Sequence, residues 1–483
     1  MQQNKGYISM KNFWKYLLIF LLISILITLF LLKTDKGHQK LGNFIENYLS
    51  NKTYNKIKVH YFNLVKYPDI TIELEVNDKA RIILKGTISN YHINMYYHLR
   101  GDAFSFNNFH LEDSIDVQGN LQGTFDSINV TGEGSLFDGD IKYQFINTPQ
   151  EIKSLELTMR SVESKKILTF LEEKPFLQGL ADINASFKSF SDYSKEGQVA
   201  IYIPNTTINS LKTLPFLFKS TINFNKTENY YNAEILSKEL GTILIKNGKY
   251  QQLKHVALAD YTIKIKNSPY LKKITHIAYK GDLSLNGNFI YNSYNQSFLI
   301  KGNTKEFNGN IDFIYNKNAL DIKLQQVSLE SLLDKFSYPI LFTSKINGTI
   351  NANIEEKIII VNTHLNETRF VDSDFTNKVH KKAKINMISN SYDQSRFSAG
   401  YQNNKISSLL RIDNGKEYIE LSQTKIDLKN NKINSKFKIN MQNQEYYGTI
   451  YGTLSKPKFI IDKRKFLQYK TDQYLSGWLQ TKE

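Results

Sequence analysis

Residues 131–145 read TGEGSLFDGDIKYQF, and residues 301–315 read KGNTKEFNGNIDFIY. Laid over each other without a gap, Gly132 meets Gly302, Phe137 meets Phe307, Gly139 meets Gly309 and Ile141 meets Ile311. Asp138 faces Asn308, Tyr143 faces Phe313 and Phe145 faces Tyr315. After each second glycine the apolar residues alternate, which places them on one face of a strand. The same hairpin is written twice, with its glycines and apolar positions kept and its polar letters free.

The echo belongs to a longer duplication. VQGNLQGTF at 117–125 resembles YKGDLSLNGNF at 279–289, with two residues inserted. SVESKKILTFL at 161–171 resembles SLESLLDKFSY at 328–338. Each precedes a strand that opens on glycine, GLADINASF at 179–187 and GTINANI at 348–354. The leucine-rich pieces begin on Ser with Glu close behind, a helix-capping pattern. The unit is hairpins, a short helix and the next strands, with copies at about 117–188 and 279–355. A mostly-strand unit recurring after about 165–170 residues points to an extended array. INSLKTLPFLFKSTINFN at 208–225 has the same shape without close identity.

Period-two alternation recurs outside the duplication, at Ile70, Ile72, Leu74 and Val76, at Val199, Ile201 and Ile203, at Leu283, Leu285, Phe289 and Tyr291, and at Phe437, Ile439 and Met441. Thirty Tyr and thirty Phe suit a pleated surface, and only 8 Pro interrupt it. Asp138-Gly139, Asn247-Gly248, Asn286-Gly287, Asn308-Gly309, Asn347-Gly348 and Asn414-Gly415 read as tight turns, with bulges inside strands as the other reading of such glycines. At about 13 residues per strand and turn, roughly 30 strands are expected, on the order of 150 Å of sheet if uniformly stacked.

Phe13 to Leu32 reads FWKYLLIFLLISILITLFLL, with Lys15 its one charge. Such a run spans roughly 30 Å as a helix, the thickness of a hydrocarbon core. Trp14 and Tyr16 sit at one edge, as interface aromatics do, and no small-residue cleavage site follows. The expected organisation is a cytoplasmic tail (1–12), a transmembrane signal anchor (13–32), a linker with an amphipathic helix (33–56), a repetitive β-rich exported region (57–462) and a basic, aromatic tail (463–483). Lys5, Lys11 and Lys15 before the span lean the N-terminus to the cytoplasmic side. The linker helix carries the stripe Leu41, Phe44, Ile45, Tyr48 and Leu49 and either caps the first strands or lies on the membrane. The tail either touches anionic headgroups or caps the last strand.

Net charge is +16, spread along strands and not gathered into a block, which argues against a nucleic-acid partner. The absence of cysteine excludes disulfides, thiol catalysis and zinc–thiolate sites. Nine histidines are scattered; His92 and His98 share a strand face but stand too far apart for a common metal. No P-loop, dinucleotide fingerprint or nucleophile elbow is present. The expectation is a non-enzyme without cofactor or metal.

The single anchor, the helix leading into a strand in NFIENYLSNKTYNKIKVHYFNLVKYPDITIEL (43–74), the twice-used short helix before a glycine strand and the closing GTIYGTLSKPKFIID (448–462) together resemble the AsmA-like family, with its TamB-type relatives. The likeness covers most of the chain through loose glycine- and leucine-based motifs. It implies a mostly β fold: a transmembrane helix, then an elongated, curved antiparallel sheet (a β-taco) with a few short helices. It also implies an inner-membrane protein of a Gram-negative cell, its bulk in the periplasm, that carries phospholipid or assists outer-membrane assembly. The family has no catalytic residues to carry over.

A sheet with one apolar face must close, pair or be filled. Acyl chains would fill it at about 0.8 kcal/mol per buried methylene, without directional contacts. The candidate lining is Ile70, Ile72, Leu74, Ile141, Tyr143, Phe145, Leu283, Leu285, Phe289, Ile311, Phe313 and Tyr315. The competing reading is an ordinary sandwich core. At the level of function the rivals are an outer-membrane barrel, which the helical anchor opposes, an anchored nucleic-acid binder, and an anchored scaffold that grips a periplasmic or outer-membrane partner through a sheet edge.

Overall fold

The computed structural model describes Leu22, Ser24 and residues 33–471 apart from short interruptions, the longest being 209–214 and 273–277. The expected span 13–32 lies outside the described residues except for Leu22 and Ser24, and most of the 463–483 tail lies outside them too. Among the described residues no helix is long and apolar enough to cross a membrane.

The fold is mostly β. Among the described residues the helix α1 (Asp35–Thr53) comes first, strands then follow one another from Ile57–Asn63 to Lys456–Ile461, and two short helices, α2 (Ser164–Phe170) and α3 (Leu329–Lys335), lie between strands. The strand pairings are antiparallel, and each strand pairs chiefly with its neighbours in sequence. Among the described residues the first strand pairs only with Asp69–Val76 and the last only with Gln444–Thr453, so no pairing among them closes the sheet into a barrel. A small hairpin, Phe104–Phe106 with Phe109–Leu111, stands apart from it.

The chain divides into two compact units, Met1–Ile235 and Leu236–Glu483. One copy of the duplication falls in each. No composition shift announced this boundary, because it lies inside the strand Glu228–Ser237 and not in a linker.

The echoed stretch builds the same device in both units. In the first, Phe137 and Asp138 form the hairpin turn, with φ of 55° and 60°. Both lie in the left-handed region, as a primed turn requires. Phe137 is buried against Phe170 of α2, ring centroids 5.7 Å apart. Its carbonyl accepts from the Glu163 N–H at 2.8 Å. In the second unit Phe307 is buried among Val327, Leu332 and Phe336, beneath α3, and accepts from the Ser328 N–H at 2.9 Å. The free polar letters form matched contacts: Asp138 pairs with Lys166 of α2 at 2.7 Å, and Asn308 donates to Ser331 of α3 at 2.9 Å.

These contacts correct the sequence alignment of the helices. Val162 and Val327, both fully buried, are equivalent, so Glu163 and not Ser161 answers to Ser328. Ser328 is the N-cap of α3 and accepts from the Ser331 N–H at 3.0 Å. Glu163 occupies the N-cap of α2 without a side-chain cap bond. The Ser-x-Glu match was a coincidence of letters two residues out of register.

The turn reading also needs correction. Asn414-Gly415 and Asn308-Gly309 lie in turns, and Asp138 is the second residue of a hairpin turn after which Gly139 opens the next strand. Asn247-Gly248, Asn286-Gly287 and Asn347-Gly348 lie inside strands. Asn247 marks a bulge, where the register shifts between Lys246 and Lys249. Asn347 serves a bulge on the neighbouring strand: Gln326, at φ 53°, donates its N–H to Asn347 Oδ1 at 2.9 Å. Ser161 makes the same bond to Asp182 at 3.0 Å, and Glu367 to Asp393 at 3.1 Å. At Gln326, Ser161 and Glu367 the bulge takes an N–H out of the ladder, and an Asn or Asp side chain satisfies it.

Candidate functional site

Residues directly opposite on antiparallel strands present their side chains to the same face. Following the register across the first unit gives an apolar row: Phe62, Ile72, Leu84, Tyr97, Gly119, Gly132, Tyr143, Leu157, Ala185, Val199 and Ile222. A second row runs parallel through Leu74, Ile82, Leu99, Val117, Gly134, Ile141, Met159, Ile183 and Ile201. A third links Ile70, Gly86, Met95, Leu121, Val130 and Phe145. The six expected lining residues of this unit therefore fall two by two into three shared rows.

The second unit repeats the pattern. One row holds Ala259, Phe289, Ile300, Tyr315, Leu320, Ala352, Ile359, Tyr401, Ile406, Ile426, Ile433 and Gly452. The next begins Tyr261, Gly287, Gly302, Phe313, Ile322, Ile350 and Val361. A third holds Ile311, Leu324, Gly348, Thr363, Phe397, Leu410, Leu421, Phe437 and Gly448. Leu283 and Leu285 lie opposite Ile265 and Ile263 on the same face.

The other face is largely polar, although Ile290, Ile314 and Ile360 stand exposed on it. Arg81 pairs with Glu73 at 3.1 Å, His98 with Asp116 at 2.7 Å, and Arg411 with both Asp413 and Glu420 at 2.7 and 3.0 Å. Lys438 lies over the rings of Tyr418 and Tyr447 at 5.1 and 5.2 Å.

Cover over the apolar face is uneven. Near α2 the rows end in a buried cluster of Phe137, Val162, Ala181 and Ile203. Near α3 the cluster is Phe307, Val327, Ile346 and Leu365, and a further one gathers Ile385, Met387, Tyr392 and Met441. Away from these helices and loops the rows stay partly open. Of the twelve expected lining residues only Leu74 is buried; the other eleven are half-buried, and Ile141, Tyr143, Leu283 and Ile311 pack against the clusters. Ile359, farther along the Phe289 row, is 37% exposed. A hollow of about 1050 Å³ runs along the Ile359, Tyr401, Ile406, Ile426 and Ile433 stretch and the rows flanking it.

In the first unit's rows two hydroxyls interrupt the apolar floor, and both are satisfied. Tyr97 reaches over the Gly119–Gly132 pair to donate to the Thr131 carbonyl at 3.2 Å, and its hydroxyl lies 2.5 Å from that of Tyr143. Burial, reinforced by the Tyr143 hydroxyl, holds Tyr97 far above the ordinary tyrosine range, and burial raises Tyr143 as well. Both stay neutral, which keeps charge off this face.

Sequence reading missed Tyr97, which stands beside Tyr96 on its strand, and Tyr261, the single aromatic of its strand. It also missed Tyr401, Ile406, Ile426 and Ile433, although the alternation in KISSLLRI and the Ile spacing after Thr424 were available as a signal. Among the described residues no group of His, Asp and Glu is placed to hold a metal. The class defined by fold and surface is an open antiparallel meander with one continuous apolar face in each unit. Comparison with family models, with curated proteins and with solved structures finds no match.

Proposed function

We propose that this chain shelters lipid acyl chains against the apolar face of its sheet. In this reading it is an AsmA-like, inner-membrane-anchored periplasmic protein that contributes to phospholipid traffic toward the outer membrane. The observation that carries the proposal is the passage of apolar rows from strand to strand within each unit, much of it only half-buried away from the helices. Such a surface costs free energy in water and gains about 25 cal/mol per Å² when hydrocarbon covers it. The contact is non-directional, so lipid slides along the rows without a residue-specific site.

The test uses a photo-cross-linker at Leu320, which stands opposite Tyr315 in the same row. Lipid captured there in the parent chain should be lost when Ile311, Phe313 and Tyr315 are replaced together by Asp. Undiminished capture in a triple variant that retains its circular dichroism refutes the proposal. Tyr315→Asp alone, at a half-exposed position, serves if the triple variant unfolds.

One observation favours a second reading, an anchored scaffold for outer-membrane assembly. Among the described residues the strand Lys456–Ile461 pairs on one side only and exposes Phe459, Ile460 and Ile461. A scaffold predicts no co-purifying lipid in mass spectra of the detergent-free exported region; a carrier predicts phospholipid.

A further inference from the structure

Helix α1 has two opposed lines of side chains, each spaced by four residues. One line grips the first strand. The His38 ring meets Phe62 edge-on at 6.1 Å, and Gly42 lies against Val59, so close that a Cβ there would sit 3.4 Å from Cγ1. Glu46 accepts from the Val59 N–H at 2.9 Å, and Ser50 from the Ile57 N–H at 3.2 Å. The other line is Lys36, Lys40, Phe44, Tyr48 and Lys52, all exposed. Two residues of offset place it about 200° around the helix from the first.

The outward line is not an ordinary solvated face. Phe44 and Tyr48 are 67% and 53% exposed and stack on each other with centroids 6.4 Å apart. The Lys52 ammonium lies 5.6 Å from the Tyr48 ring. Of the helix's two acids, Glu46 is engaged by Val59, which leaves Asp35 at the first turn. Paired aromatics bracketed by lysines match a bilayer interface, where rings sit among headgroups and ammonium groups meet phosphates. The apolar run ends at Leu32, only three residues before the helix begins, at most about 10 Å of extended chain.

We propose that α1 lies on the bilayer surface through Lys40, Phe44, Tyr48 and Lys52 while its opposite line holds the first strand. The proposal rests on the reading of 13–32 as a membrane span. The helix becomes a bracket that sets the beginning of the apolar rows, Phe62 and Ile72, beside the membrane from which lipid would enter.

The chain has no cysteine, so one introduced at Asn47, on the exposed side, carries a single fluorophore; Lys429→Cys, in an exposed turn, is the control. The full-length protein is reconstituted in vesicles of phosphatidylcholine and phosphatidylglycerol that carry nitroxide-labelled lipid tails. The label at 47 should be quenched and the label at 429 should not. Phe44→Ser with Tyr48→Ser should abolish quenching at 47 while the chain still resists alkaline extraction. An unquenched label at 47 in a chain that resists extraction overturns the bracket and leaves the span reading standing. So does quenching that persists without the two aromatics. A chain that washes off the vesicles overturns the span reading and the bracket with it.

Discussion

The Tyr261 hydroxyl donates to the Lys301 carbonyl at 3.0 Å, reaching across the cross-strand pair Gly287–Gly302. Tyr97 bears the same relation to Thr131 across Gly119–Gly132 in the other unit. A Cβ on Gly302 would collide with the Tyr261 hydroxyl and the Phe313 ring, and one on Gly132 with the Tyr97 hydroxyl and the Tyr143 ring. The echoed glycines are therefore seats for aromatic side chains that cover bare backbone. Gly302→Ala should cost about 1–3 kcal/mol through overpacking, read as a fall in the urea midpoint. Combined with Tyr261→Leu it should cost less than the sum of the two single changes; strict additivity would show that the ring does not occupy the glycine's space.

The two helix starts should respond oppositely. Ser328→Ala removes the α3 cap bond and should cost about 1 kcal/mol. Glu163→Ser places a competent cap on α2, where none exists, and should hold or raise stability. Equal losses at both sites would contradict the register that matches Glu163 to Ser328.

Asn347 is worth testing because its role is invisible in its own strand. Asn347→Ala leaves the Gln326 N–H without its acceptor and should cost about 1–3 kcal/mol. Asn347→Asp keeps an acceptor and should retain most of the stability. Denaturant midpoints that fall equally for Ala and Asp would assign the residue another purpose.

Alkaline pH should destabilise the protein through its buried tyrosines. Burial, with the charge of Glu417 adding, pushes Tyr392 up to about 12, and burial with Glu306 and Asp282 does the same for Tyr279. An unfolded tyrosine titrates near about 10. The folded state holds these protons more tightly, so the stabilisation is complete below pH of about 10 and is lost between about 10 and 12. Tyr392→Phe should flatten the fall of the denaturant midpoint over that window, and an unchanged slope would rule Tyr392 out as a source of it.

Much of this architecture was legible because strand periodicity is local. Ile70, Ile72 and Leu74 alternate, and the register then carries them onto the rows of Phe145, Tyr143 and Ile141. What sequence could not give was the partner across the sheet. Asn347 read as a turn letter and Asp182 drew no reading at all, yet each serves a bulge on an adjacent strand. Asp138 with Lys166 and Asn308 with Ser331 read as drift, yet each polar letter changed together with its contact on the helix. The cover over the rows was hidden for the same reason, since exposure depends on where α2 and α3 come to rest.

Because each strand pairs chiefly with the strand just made, the chain needs few distant contacts to begin folding. Each new hairpin can dock on a ladder already in place, so folding can proceed from the N-terminal end at the pace of synthesis. An arrangement of this kind is also extensible: a further hairpin inserted between two existing ones lengthens the array and leaves the register of its neighbours intact.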